Sequence, residues 1–313
     1  MLSRTADSLY WLSRYIERAE NLARILDLAQ RLAVLPSTYA GASNEWESAV
    51  ATAACAETFK GTYDEVTREN VIAFIVDSEA NPSSIKACIE MARTNARSVR
   101  TAMTGEMWEI INGAWHELQG TNLKSLSPNR LSSLLTMVKE ASLRFDGAAY
   151  RTMLRTDHFY FQRLGTFIER ADSIARLIDV KYHVLLPDKE QVGGGLDYFQ
   201  WSSILRSVSA LTSYHWVYRE NVRPWLVADF MILRKEQPRS LISCCMSMNT
   251  YLDELADAYG RQGPAQRIAR AMLAQMENAN IDGVFQGGLH EFLTQFINDN
   301  NSLGCAIAEQ YLA

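Results

Sequence analysis

Proline and glycine are scarce in this chain, with 7 and 16 in 313 residues. So few break signals argue against a fold of many tight turns and for long helices. Cysteine is scarce as well. Cys55, Cys88, Cys244, Cys245 and Cys305 form no Cys-x-x-Cys pair and are odd in number. That argues against a disulfide framework or a zinc knuckle, and for a reducing compartment. Apolar runs such as 71–76 fall far short of the ~20 residues that cross a bilayer. Charge of one sign is lacking: 31 basic against 36 acidic residues leave a net charge of −5. A nucleic-acid binder would show a basic stripe instead. Residues 1–7 hold no basic segment leading into an apolar one, so no signal peptide is expected. These absences together predict a cytoplasmic protein with no membrane or nucleic-acid partner.

The signatures of common chemistry are missing too. There is no Walker A sequence, no Gly-x-Gly-x-x-Gly and no Gly-x-Ser-x-Gly. The histidines, His116, His158, His183, His215 and His290, make no His-Glu-x-x-His. No catalytic residue, metal or cofactor is therefore assigned. What remains is a globular composition, 48% apolar and 21% charged.

The chain repeats itself. Residues 15–27, Tyr-Ile-Glu-Arg-Ala-Glu-Asn-Leu-Ala-Arg-Ile-Leu-Asp, align with 167–179, Phe-Ile-Glu-Arg-Ala-Asp-Ser-Ile-Ala-Arg-Leu-Ile-Asp, at an offset of 152 with seven of thirteen positions identical. Two weaker matches follow in the same order. Trp46, Ser48, Phe59 and Tyr63 meet Trp201, Ser203, Tyr214 and Tyr218 at 155. Val71, Phe74, Pro82, Ser84 and Cys88 meet Val227, Phe230, Pro238, Ser240 and Cys244 at 156. Two related halves are expected, 1–155 and 156–313, packed as one domain.

Both motif copies have helical period. Leu12, Ile16, Ala19, Ala23 and Leu26 share one face, as do Leu164, Ile168, Ala171, Ala175 and Ile178. Pro187 and Gly193-Gly194-Gly195 are expected to end the second helix and begin a loop. Further helices are predicted over 46–60, 85–99, 105–119, 128–151, 197–219, 264–279 and 289–312, and in a run that follows Pro238 and ends at Leu255, with Ser127 capping the one that begins at Pro128. Only 71–76 and 227–233 are ambiguous with strand. The fold class is all-α, an internally duplicated bundle of long helices with a pseudo-two-fold relation between the halves.

Opposite the apolar face, each motif helix carries a charged stripe. In the first it holds Arg14, Glu17, Glu20, Asn21, Arg24 and Asp27, with Arg18 at its edge. In the second it holds Thr166, Glu169, Asp172, Ser173, Arg176 and Asp179, with Arg170 at its edge. Glu20–Arg24 and Asp172–Arg176 stand four apart, acid first, the favourable order for a helical ion pair. Such a stripe can be a solvated face, an internal ion-pair network where the halves meet, or a ligand or partner site. A free surface needs no fixed order of charges, so its repetition in both halves favours the internal or binding readings. A di-iron site is disfavoured, because neither stripe holds a histidine and the arginines compete for the carboxylates. Aromatic residues around Tyr214, His215, Trp216 and Tyr218, with Arg206, Arg219 and Arg223, form a candidate partner surface. Trp46, Trp201, Tyr63 and Tyr218 are expected in the core.

The doubled Ile-Glu-Arg-Ala-Glu/Asp pattern resembles the alpha-E family of helical proteins named for a Glu-Arg motif. The resemblance extends to 2–11, to 81–85, to 106–109 and to 153–155, nearly the whole chain. It implies association with circularly permuted ATP-grasp amide ligases and with transglutaminase-like cysteine peptidases, in a system that makes, modifies or trims small peptides. Since the chain has neither an ATP site nor a thiol signature of its own, the resemblance implies a non-catalytic accessory subunit, with a peptide or amino-acid ligand as a further expectation. The competing readings are an enzyme using Glu17 and Glu169 as acid and base with Arg18, Arg24, Arg170 and Arg176 as anion holders, and a purely structural protein.

Overall fold

The computed structural model describes residues 2–33, 45–123, 126–183 and 195–312. Every regular element among them is helical, as the scarcity of proline and glycine predicts. The first half contributes α1 (Ser3–Leu32), α2 (Glu45–Thr52), α3 (Ala56–Lys60), α4 (Arg68–Val76), α5 (Ile85–Ser98), α6 (Gly105–Gln119) and α7 (Pro128–Thr152). The second contributes α8 (Asp157–His183), α9 (Gly195–Ser207), α10 (Leu211–Tyr218), α11 (Pro224–Ile232), α12 (Leu241–Tyr259), α13 (Pro264–Asn278), α14 (Ile281–Gly287) and α15 (Leu289–Ile307), followed by a π-helical turn over Ala308–Leu312. Among the described residues the two sets differ in number, seven helices against eight, the short α14 being the extra one.

Local chemistry explains several starts. The hydroxyls of Ser84, Ser127 and Ser240 accept from the backbone N–H three residues on, at Ala87, Arg130 and Ser243, satisfying one of the unpaired donors of α5, α7 and α12. Asp157 is itself the first residue of α8, and its Oδ1 accepts from the His158 N–H.

The structure resolves one ambiguity and corrects two expectations. The ambiguous run 71–76 is helical in α4, and 227–232 in α11, with Leu233 at its C-cap. They are apolar nearly all round because they are buried nearly all round; Val71, Phe74, Val227 and Met231 are wholly enclosed. The single helices expected over 46–60 and 197–219 are each broken in two, at Ala54 and at Ser209, both left-handed at φ 54° and φ 59°. Gly195 opens α9 rather than continuing a loop, while Pro187, Gly193 and Gly194 lie outside the described residues.

At the centre, α1 packs on α8. Their paired residues rise together along both helices, so the two run parallel, with position i of α1 beside a position near i + 152 of α8. Gly165 sets the closest approach: a Cβ there would fall inside the van der Waals shell of the Tyr10 carbonyl oxygen. Around this pair the neighbours match. Helix α1 packs on α5 and α7, and α8 on α12 and α15; α2 reaches across to α8, and α9 to α1. Both predicted apolar faces are buried, with Leu12, Ala23, Leu26, Leu164, Ala171 and Ile178 wholly enclosed. One core cluster spans the second half and takes in Ala6, Tyr10, Leu28 and Leu32 of α1, which ties the halves through a shared interior. Two further clusters fill the first half.

Candidate functional site

The inner charges of the α1 and α8 stripes do not face water. They face each other. Glu17, Glu20 and Glu169 are 3%, 1% and 5% exposed, and Arg24 and Arg170 are buried with them. A carboxylate taken from water at such depth is strongly disfavoured unless charge and hydrogen bonds replace its hydration. For Glu17 and Glu169, guanidiniums from the opposite helix do so. Arg170 donates Nε and Nη2 to the two oxygens of Glu17 at 2.8 and 2.9 Å. Arg18 donates Nε and Nη2 to the two oxygens of Glu169 at 2.5 and 3.0 Å. Each is a two-point fork between planar groups, the strongest common form of ion pair. The exchange is reciprocal: the Glu of each Glu-Arg step is held by the Arg of the other. Asn21 donates to the Ser173 hydroxyl at 2.7 Å, so two residues at the same place in the two motif copies touch.

Around these forks the two sides differ. On the Glu17 side, Arg239 from the α11–α12 connection reaches in, donating to Glu17 at 3.3 Å and to Glu20 at 2.5 Å. Glu20 also accepts from Arg24 at 2.8 Å and from the Ser142 hydroxyl at 2.6 Å. Arg24 donates in turn to the Ser207 carbonyl at 2.5 Å and the Ser209 hydroxyl at 3.3 Å. On the Glu169 side, Arg14 adds a third hydrogen bond at 3.0 Å while lying over the Trp11 ring, and Arg18 donates also to Ser83 at 3.2 Å. Asp172 and Arg176 pair with each other at 2.7 and 3.1 Å. They are 23% and 29% exposed, at the edge of the network rather than inside it.

The pairing sets protonation. Burial would raise the carboxyl of Glu169, but Arg18 and Arg14 outweigh it and hold the group below the ordinary carboxylate range. Burial acts the same way on Glu20, and Arg239 and Arg24 bring it down to about 2. Burial followed by repulsion from Arg239 lowers Arg24. Burial would lower Arg18 and Arg170 too, yet their carboxylate partners raise both. These groups are therefore charged throughout the neutral range. Burial pushes the thiols of Cys88 and Cys244, which lie beside the two forks, up to about 12, so neither offers a thiolate at neutral pH.

Among the candidate residues, the structure brings Glu17, Glu20, Arg24 and Arg170 into one cluster and Arg14, Arg18 and Glu169 into another, with Asp172 and Arg176 flanking. Glu17 and Glu169 share no cation in the described bonds. Arg239 was not anticipated, because it lies outside the motif. A signal for it did exist: the match of Pro82 to Pro238 places Ser83 opposite Arg239 at the same offset of 156. Both contact the network, each on its own side.

A cleft of about 270 Å³ opens on the Glu169 side, lined by Arg14, Arg18, Asp172, Arg176, Ser83 and neighbouring residues. A larger hollow, about 540 Å³, lies between α6 and α7 and is lined by Glu109, Glu117, Glu140 and Arg144, with no motif residue in it. Of the candidate partner surface, Tyr214 is wholly buried and Tyr218 half-buried, so both belong to the core. Trp216 is 74% exposed, with Val217 and Trp225 also open to solvent and Arg223 stacked over Trp225. Among the described residues no cluster of three His, Cys, Asp or Glu side chains is placed to hold a metal ion, and no helix is long and apolar enough to cross a membrane.

A helical protein organised around a doubled, mutually paired Glu-Arg step is the class this geometry defines. A family model for the Alpha-E domain, described as a predicted alpha-helical domain with a conserved ER motif, matches residues 1–312, and the chain belongs to that family. No curated protein and no solved structure matches it.

Proposed function

We propose that this chain is a non-catalytic helical accessory subunit of an ATP-grasp amide-ligase system that makes or modifies small peptides, working in the cytoplasm, with a transglutaminase-like peptidase as a further partner. We propose also that it is a doubled unit, 1–155 and 156–313, related by a pseudo-two-fold that runs along the parallel α1–α8 pair. The association with a ligase rests on the family resemblance. The observation that carries the non-catalytic reading is the reciprocal pairing of Glu17 with Arg170 and Glu169 with Arg18. A general acid must hold a proton near neutral pH, and a general base needs a pKa near the working range. The guanidiniums bound to Glu169 and Glu20 lower both from the ordinary carboxylate range, away from neutral pH. The motif charges are thus spent on joining the two central helices, which makes a rigid scaffold rather than a proton relay.

The test is reconstitution. The chain is mixed with the ligase at micromolar concentrations of both, and complex formation and the rate of amide-bond formation are followed. The reading expects a stable complex and a ligase rate that depends on this chain. No complex together with an unchanged rate would remove it. Amide formation or hydrolysis by the chain alone, abolished by Glu169→Gln while the melting temperature holds, would favour the enzyme reading instead.

A further inference from the structure

The two sides of the Glu-Arg network are built on the same plan, yet one is filled and the other is hollow. On the filled side Arg239 runs in between Glu17 and Glu20 and is itself mostly buried. On the hollow side the residue at the same place is Ser83, whose short side chain leaves the 270 Å³ cleft beside Glu169 and Asp172. The backbone around the two places also corresponds. Ser207 and Ser209, which receive Arg24, have counterparts at the sequence offset in Thr52 and Ala54, which line the cleft beside Arg176. Ala54 and Ser209 share the left-handed conformation.

The charges decide what the cleft accepts. Arg14 has no counterpart on the other side, where Thr166 stands; it supplies from α1 the positive charge that Arg239 supplies there. Three guanidiniums, Arg14, Arg18 and Arg176, face two carboxylates, Glu169 and Asp172, so the lining carries one positive charge in excess. All four carboxylate oxygens already accept from arginine. Donors are in surplus instead: Arg176 gives Nε and Nη2 to Asp172, and its Nη1 makes no hydrogen bond among the described residues. A second cation would add repulsion and find no unshared carboxylate. An anion would restore neutrality and meet the guanidinium N–H groups that the carboxylates leave over, Arg176 Nη1 among them. The volume is below the roughly 300–1,000 Å³ of drug-sized sites, which limits the ligand to a small one.

We propose that the cleft between α1, α8 and the Thr52–Ala54 turn is a binding site for a small oxyanion, a carboxylate or a phosphate, with Arg176 and Arg14 as its hooks and Ser83 leaving the room that Arg239 fills on the other side. The proposal stands on the cleft alone and does not depend on a ligase partner.

Calorimetric titration of the full chain at constant ionic strength tests it, with inorganic phosphate, succinate and, as the cationic control, guanidinium chloride at the same low concentrations. Saturable binding of phosphate or succinate is expected, and whichever binds more tightly identifies the source of the oxyanion. Ser83→Arg, which plugs the cleft as Arg239 plugs its counterpart, should weaken that binding at least about tenfold. Arg176→Gln, which removes a hook from the rim, should weaken it by about the same factor while the melting temperature stays near that of the wild type. This second variant decides the matter if the first does not fold. The proposal is overturned if neither anion binds, if guanidinium binds more tightly than both, or if the folded variants bind as the wild type does.

Discussion

The Glu17 side and the Glu169 side of the central helix pair use the same fork and finish it differently. At Glu17, every neighbouring charge is drawn inward: Glu20 is 1% exposed, and Arg239 closes the gap from a loop about 220 residues away in sequence. At Glu169, the corresponding acid and base, Asp172 and Arg176, sit at the rim beside a cleft. The lesson is that a motif repeated in sequence need not do the same work twice. The inner Glu-Arg forks join the halves in both copies. The residues one turn further on, with the loop residue facing them, seal one side and leave the other open to solvent.

The largest expected effect lies at the fork itself. Glu17→Gln would leave Arg170 buried without its fork partner, and loss of one member of a buried ion pair costs about 3–5 kcal/mol. Chemical denaturation should show a loss of that size for Glu17→Gln. A change below about 1 kcal/mol would mean that the fork is more solvated than its burial implies. Gly165→Ala tests the approach of the helices that carry the forks. The added methyl meets the Tyr10 backbone, which cannot swing aside, and should destabilise by about 2–3 kcal/mol in the same assay.

The sealed side has a pH signature. Glu20 is lowered from an ordinary 4.5 to about 2 by Arg239 and Arg24 acting against burial. A group whose folded pKa is depressed contributes stability above its unfolded pKa and loses it as pH falls toward the folded one. Stability should therefore decline between about pH 4.5 and pH 2 from this group. Arg239→Ser should flatten that part of the profile, because Glu20 then titrates closer to its unfolded value. An unchanged slope would show that Arg239 does not set Glu20. The smallest effect is expected at the open rim, where Asp172→Asn removes a partly exposed pair four residues apart, about 0.5 kcal/mol. A loss as large as that at Glu17 would erase the difference between the two sides.

Much of the frame was legible from residue spacing. The buried faces of α1 and α8 follow the three-and-four period of Leu12, Ile16, Ala19 and Ala23 and of Leu164, Ile168, Ala171 and Ala175. The capping role of Ser127 and the local pairs Glu20–Arg24 and Asp172–Arg176 follow from positions along one helix. What lay beyond reach depends on how one helix meets another. Whether Glu17 bonds to Arg24, seven residues on, or to Arg170 across the interface is decided by the register of α1 against α8. No spacing within either segment encodes that register. The breaks at Ala54 and Ser209 carry neither glycine nor proline, so nothing in the local composition announces their left-handed turns. Helices α4 and α11 looked ambiguous because full burial removes the polar face that distinguishes a helix from a strand.

The coupling of Glu17 to Arg170 is the central joint between α1 and α8. A double-mutant cycle of Glu17→Gln and Arg170→Met, read by denaturant unfolding, measures that coupling directly. The paired geometry predicts an interaction energy of about 2 kcal/mol, with the double variant more stable than the sum of the single losses allows. Single losses that add to within about 0.5 kcal/mol would contradict it.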